Sequence, residues 1–413
     1  VSSNRMSRRA VLATGAAAAL TTAVPIARAA ADGRHPVDVG FALDATVLDG
    51  GEQVTALTLD TRRLGAVDPA VLGPDTFGVH ATATNPLTGT VPYDLDRTVT
   101  AVRQRPGKII IELSTAEGQP GGGTLDYIVD AARNVVLELD YTITLNRPLR
   151  GRGGATLPVG DFVQGELVDP EVDAFASAVS ASGMNYRLFS PASGGGRHGA
   201  PLIVWLHGGG EGGLLDSDTY DDYYDNQTQL RANRGALGFA TPQAQRIFGG
   251  AYVVAPQCTS AWMDDGPGFA PLIKEVIDEV AREHRIDRSR ILVAGCSNGG
   301  YMSLKMTSVY PDTFSASVPI CCSVTAKTDV ITDAQLAAIS TPTWLVASRD
   351  DTTLDPIANT EHAHDLIPGS LMSLYDTVTW NGYRFPGHWS WIYVARNDPS
   401  NNGEHIWQWM ARQ

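Results

Sequence analysis

The stretch "AGCSNGGYMS", residues 294–303, sets Cys296 and Ser297 side by side among glycines. Either side chain can attack an electrophilic carbon. The glycine register separates them, because a nucleophile on a sharp turn from strand to helix needs glycines two positions before and two after it. Centred on Ser297, those positions are Gly295 and Gly299; centred on Cys296, they are Ala294 and Asn298. The apolar run "RILVAG" before the turn and "GGYMSLKMTSVY" after it supply the strand and the helix that such a turn joins. The chemistry expected of Ser297 is attack on a carbonyl through a covalent intermediate.

A serine hydroxyl needs a base to remove its proton, and the base needs an acid to orient it. "LVASRDDTTLDP" follows a predicted strand and offers two acids; the spacing of Asp351 to Leu354 and Pro356 favours it over Asp350. Four histidines follow the serine. His362 and His364 come too soon after the acid, in a helix-like stretch, and His405 opens the last helix. His388, in the late loop "RFPGHWSW", has the position the base requires. "WLHGGGEGG", residues 205–213, follows a buried strand, and its glycine N–H groups can hold an oxyanion. Gly209 is the first choice and Gly210 the next, with the N–H of Asn298 completing the set. A phosphate loop is the other use of such glycines, but no Lys-Ser/Thr follows.

These residues need a scaffold, and residues 175–413 provide one. Apolar strands ("PLIVWLH", "AYVVAP", "RILVAG", "FSASVPI", "PTWLVAS") alternate with helical stretches, the pattern of an α/β domain with a mainly parallel sheet. "FAPLIKEVIDEVAREH" puts Leu272, Ile273, Val276, Ile277 and Val280 on one helical face. Residues 36–168 read differently. Six runs of strand character, among them "DVGFALDATVLDG", "GKIIIELST" and "TLDYIVD", lie between turn signals, which fits a β-sandwich of immunoglobulin-like type. No convergent cluster of catalytic residue types lies in it. Its expected roles are support, surface attachment or oligomerisation.

The 413 residues exceed what one domain usually needs. A formal net charge of −14 argues against nucleic acid as the main partner. Residues 1–29 carry Ser7-Arg8-Arg9, a weakly apolar run and Ala27-Arg28-Ala29, the features of a cleaved twin-arginine export signal rather than a membrane span. Export implies an oxidising compartment, so the four cysteines, Cys258, Cys296, Cys321 and Cys322, are expected to form disulfides. Cys296 is expected to brace the turn by pairing with Cys258 or Cys322, with Cys258 slightly favoured; a strained Cys321–Cys322 bridge is another option. No cysteine–histidine spacing suggests a metal site, and the chemistry outlined above requires neither metal nor cofactor.

With these motifs in hand, the chain from "SGMNYRLFSP" to "FPGHWSW" resembles the secreted esterase and predicted-peptidase group of the α/β-hydrolase superfamily, related to polyhydroxybutyrate depolymerases and feruloyl esterases. The blocks that carry the likeness include "PLIVWLHGGGEGG", "DNQTQL", "VVAPQC" with Trp262, "RIDRSRILVAGCSNGGYMSLKM", "YPDTFSASVPIC" and "GHWSW". The resemblance implies an α/β hydrolase preceded by an all-β immunoglobulin-like sandwich, and Ser297, Asp351 and His388 as a triad. It places Trp262 and Trp391 near the acyl or alcohol pocket, and an ester, small or polymeric, as substrate. The same triad would serve a serine peptidase of prolyl-oligopeptidase type, and a non-catalytic binding module is the reading from another class.

Overall fold

Strand Val37–Leu48 buries every second side chain along most of its length, and Phe77–Thr84 does the same, the period of two of a strand with one face on a core. The computed structural model describes residues 35–192 and 195–413; the expected export signal lies outside them. In the N-terminal half one sheet runs in the order Val159–Val168, Val37–Leu48, Gly51–Asp60, Lys108–Leu113, Val99–Arg105. A second runs Tyr93–Arg97, Phe77–Thr84, Glu138–Leu145. Residues from both sheets, among them Phe41, Leu57, Phe77, Ile109 and Tyr141, share one core. The hairpin of Leu125–Ile128 with Arg133–Val136 pairs only with itself. Three of these strands escape the sequence pattern. Phe77–Thr84 buries Ala81 and Ala83 where a strand would be expected to show larger side chains. Tyr93–Arg97 is short, and Val159–Val168 follows a Gly/Pro-rich stretch and pairs in parallel with Val37–Leu48.

The second half is built on eight strands, here β1 (Phe175–Val179), β2 (Asn185–Phe189), β3 (Ala200–Leu206), β4 (Tyr252–Pro256), β5 (Ile286–Cys296), β6 (Ala316–Ile320), β7 (Trp344–Ser348) and β8 (Leu371–Tyr375). Their order across the sheet is β1-β2-β4-β3-β5-β6-β7-β8, with β2 antiparallel to both neighbours and the remaining pairs parallel. β3 is buried throughout, the continuous apolar run of a strand covered on both faces. Alternate side chains feed two cores. Leu202, Val204, Ile291 and Val293 lie on one face of the sheet with helix α1 (Gly266–Glu283). Ile203, Trp205, Leu292 and Ala294 lie on the other, with Trp407 and Trp409 of the last helix. Helix α2 (Asn298–Val309) follows β5 directly and is buried along most of its length. All of Pro36–Gln413 packs as one compact unit.

Candidate active site

The turn between β5 and α2 places Ser297 at φ 54°, ψ −112°, a conformation few non-glycine residues adopt and one that costs on the order of 1–3 kcal/mol. The surrounding packing holds it there. Ser297 N–H donates to the Ile320 carbonyl of β6 at 2.8 Å. The two glycines are steric necessities. A Cβ on Gly299 would lie 1.9 Å from the Leu206 carbonyl oxygen, and one on Gly295 would lie 2.4 Å from the Gly299 carbonyl oxygen. The register that singles out Ser297 in the sequence is therefore the contact of the turn with the end of β3.

Asp351 lies in the loop after β7 and His388 in the loop that follows β8. His388 Nδ1 is 2.7 Å from Asp351 Oδ2, and both side chains are largely buried. Asp351 Oδ1 accepts the N–H groups of Thr353 at 2.8 Å and Leu354 at 3.0 Å. Burial alone would raise the pKa of this carboxyl; the His388 ring and the two N–H groups outweigh it and hold the carboxyl below its ordinary range. Asp350, the competing acid, is engaged elsewhere. It accepts from Ser348 Oγ at 2.5 Å and Arg384 Nη2 at 3.0 Å. Ser297 and His388 line one cavity of about 550 Å³. Among the described residues His388 is hydrogen-bonded to Asp351 and not to Ser297.

The loop Gly208–Glu211 follows β3 and borders the same cavity. Gly209 sits beside Asn298, since a Cβ on it would lie 3.8 Å from Asn298 Nδ2. Within the described residues the N–H groups of Gly209 and Gly210 donate to no protein acceptor. The N–H of Asn298, at the first position of α2, has no intrahelical partner by construction. Glu211, whose role nothing in the glycine-rich sequence signals, organises the loop from within. Its carboxylate accepts Gly208 N–H at 2.7 Å and Asn233 Nδ2 at 2.6 Å, and its carbonyl accepts Gln257 Nε2 at 2.6 Å. Burial pushes the Glu211 carboxyl up to about 7. His207 is likewise sealed in; burial pulls it down to about 4, so it stays neutral, bonded through Nδ1 to the Gly208 carbonyl at 2.8 Å.

The two tryptophans part company. Trp391 borders the cavity and meets the His388 ring edge-on, with centroids 5.8 Å apart. Trp262 does not reach it. It is fully buried, packs on His207 at 4.8 Å between centroids and donates Nε1 to the His207 carbonyl at 3.1 Å. The expected pocket role of Trp262 is corrected to that of a buried brace beneath the glycine loop.

The disulfide expectation is corrected as well. All four cysteines are buried and unbridged. Cys296 and Cys321 belong to the core on one face of the sheet, Cys258 and Cys322 to the core on the other. Either expected bridge from Cys296 would have to cross the sheet. Burial pushes the Cys296 thiol well above its ordinary value, which keeps it protonated and a poor nucleophile.

The N-terminal half is not confined to support. Gly51, Gln53, Leu125, Tyr127 and Asn134 face the cavity that holds Ser297. "TLDYIVD" is visible in the sequence as a strand, but its place against the site depends on how the two halves pack, for which no local signal exists. Among the described residues, no three His, Cys, Asp or Glu side chains converge as a metal cage, and no helix is long and apolar enough to cross a membrane.

The strand order with one antiparallel strand, the tight turn after β5, the acid after β7 and the histidine after β8 define the α/β-hydrolase fold. Comparison with known proteins agrees. A crystal structure of a thermostable esterase superposes with a TM-score of 0.70 at 24% identity, covering 86% of this chain and 96% of that one, so the fold is shared through both halves. The model of the prolyl oligopeptidase family matches residues 272–375, which include Ser297 and Asp351. Over 149 residues the chain is 31% identical to poly(3-hydroxyalkanoate) depolymerase C of Paucimonas lemoignei; the match spans 33% of this chain and about a third of that protein, 31%.

Proposed function

We propose that the chain is an exported serine hydrolase that cleaves carboxylic esters through Ser297, His388 and Asp351. The observation that carries this reading is the 2.7 Å bond of His388 Nδ1 to Asp351, made at the edge of the cavity that also holds the strained Ser297 turn. With Nδ1 held by the carboxylate, the other ring nitrogen is the one free to take a proton. His388 removes the proton from Ser297 Oγ as the oxygen attacks the ester carbonyl carbon. The N–H groups of Gly209, Gly210 and Asn298 receive the oxyanion. The C–O bond to the alcohol breaks, and the alcohol leaves with the proton from His388. Water, deprotonated by His388, then attacks the acyl-enzyme, and the acid and free Ser297 are released. Trp391 lines the pocket that receives the substrate.

Two named relatives, an esterase in fold and a polyester depolymerase over a third of its length, support ester over amide and leave small and polymeric esters as substrates. The match to the prolyl oligopeptidase family supports a second reading, a serine peptidase. A screen of p-nitrophenyl esters of increasing acyl length, a polyester film and peptide 4-nitroanilides separates them. The ester reading predicts p-nitrophenolate release that Ser297→Ala abolishes; anilide release without ester turnover would replace it with the peptidase.

A further inference from the structure

The loop Gly208–Glu211 contains three consecutive glycines, the residue type with the widest backbone freedom. A loop of that kind presents its N–H groups in one direction only if something outside it fixes the peptide planes. From the inside, Glu211 and Gln257 do so. From the outside, the contact comes from the hairpin Leu125–Val136 of the β-sandwich half.

Three contacts converge there. The N–H of Asn134, opposite Tyr127 in the hairpin, donates to the Gly210 carbonyl at 2.7 Å. Gly210 has φ +89°, and the space a Cβ would occupy is taken by the Tyr127 ring, 2.7 Å from that point, and by the Ala132 carbonyl oxygen, 3.1 Å from it. Arg133, 3% exposed, donates Nη2 to Asp221 Oδ1 at 2.9 Å, tying the hairpin to the segment that continues from the loop. The carbonyl bond fixes the peptide plane after Gly210, and the ring restricts the φ that relates it to the plane before.

We propose that this hairpin clamps the Gly208–Glu211 loop in the conformation that directs its free N–H groups at Ser297, making Arg133 and Asp221 positioning residues for the reaction. The proposal rests on the reading of Ser297 as nucleophile and of the loop as its oxyanion hole. Neither Arg133 nor Asp221 lines the cavity, so a change in turnover on their removal has to pass through the loop.

The test uses the full chain with p-nitrophenyl butyrate as substrate and phenylboronic acid as a probe that becomes tetrahedral on the serine. Arg133→Ala is expected to lower kcat roughly 10- to 100-fold, less than or comparable to deletion of one oxyanion donor, with KM changed by no more than about 3-fold. Boronic acid affinity should fall in parallel with kcat. Arg133→Lys should recover part of the loss, and Asp221→Asn should show a smaller loss in the same direction. Wild-type kcat and boronic acid affinity in folded Arg133→Ala and Asp221→Asn would overturn the clamp. If Arg133→Ala does not fold, Asp221→Asn together with Arg133→Lys, both away from the cavity lining, decides on the same readouts. Ser297→Ala run alongside keeps the two levels apart. If it is inactive while the hairpin variants are unaffected, only the clamp fails; if it is active, the underlying reading fails.

Discussion

His388 Nδ1 and Asp351 Oδ2 meet at 2.7 Å across 37 residues of sequence. The contact exists because the loops after β7 and β8 close on each other, and the residue before the histidine makes that closure possible. A Cβ on Gly387 would lie 2.3 Å from the Asp350 carbonyl oxygen, so only glycine allows the histidine loop to press against the acid loop. The other carboxylate oxygen is held by Thr353 and Leu354 N–H. An acid fixed at both oxygens sets the tautomer and the orientation of the ring.

That arrangement assigns the two neighbouring acids unequal weight. Asp351→Asn is expected to lower kcat for ester hydrolysis by about 10³–10⁴-fold, the scale seen when a triad acid loses its charge but keeps its shape. Asp350→Asn should stay within about tenfold of wild type, because it loses only a contact to Ser348 and Arg384. Steady-state kinetics of the two variants check this, and the reverse ranking would move the acid to Asp350.

Glu211 gives stability a pH dependence of known sign. Its carboxyl is raised by burial from an ordinary 4.5 to about 7, so folding favours the protonated form. The contribution is complete below about pH 4.5 and is lost as pH rises through about 7. A displacement of this size corresponds to ~3 kcal/mol between the two ends of the window. Glu52, at the edge of the same cavity, is raised to about 7 by burial and adds to the slope in the same sense. Calorimetric midpoints from pH 5 to pH 8 should therefore fall in the wild type and fall less in Glu211→Gln, which mimics the protonated acid. Equal slopes in the two proteins would contradict the assignment.

The cysteines should all titrate as thiols. Mass mapping of the denatured, unreduced protein is expected to recover Cys258, Cys296, Cys321 and Cys322 unbridged, and above all to show no link from Cys296 to Cys258 or Cys322, which belong to the core on the other face of the sheet. A peptide linking Cys296 to Cys258 or Cys322 would contradict the packing of β5 and β6.

What could be read from sequence follows how locally each feature is determined. Gly295 and Gly299 betray the turn because the steric demand falls on residues adjacent to Ser297. The central strands β3, β5, β6 and β7 announce themselves as apolar runs because both faces are covered. β1 and β2 do not, since each buries only part of its length, β1 at the edge of the sheet and β2 next to it. Trp262 shows the limit from the other side: a large aromatic beside the motif carries no local sign of whether it faces the cavity or the core. Glu211 was hidden for a similar reason, because a glutamate in a glycine loop gives no hint that its partners, Asn233 and Gln257, lie 22 and 46 residues away. The hairpin at Tyr127 and Arg133 was legible as strand and illegible as part of the site, because its position depends on the packing of the two halves of the chain.

Covalent capture decides whether Ser297 is the nucleophile. The full chain is treated with an alkyl fluorophosphonate, and the adduct is located by peptide mass mapping, with Ser297→Ala as the control. One adduct on Ser297, matched by loss of ester hydrolysis and by no labelling of Ser297→Ala, is the predicted result. An adduct on another residue, or ester hydrolysis that survives in Ser297→Ala, would contradict it.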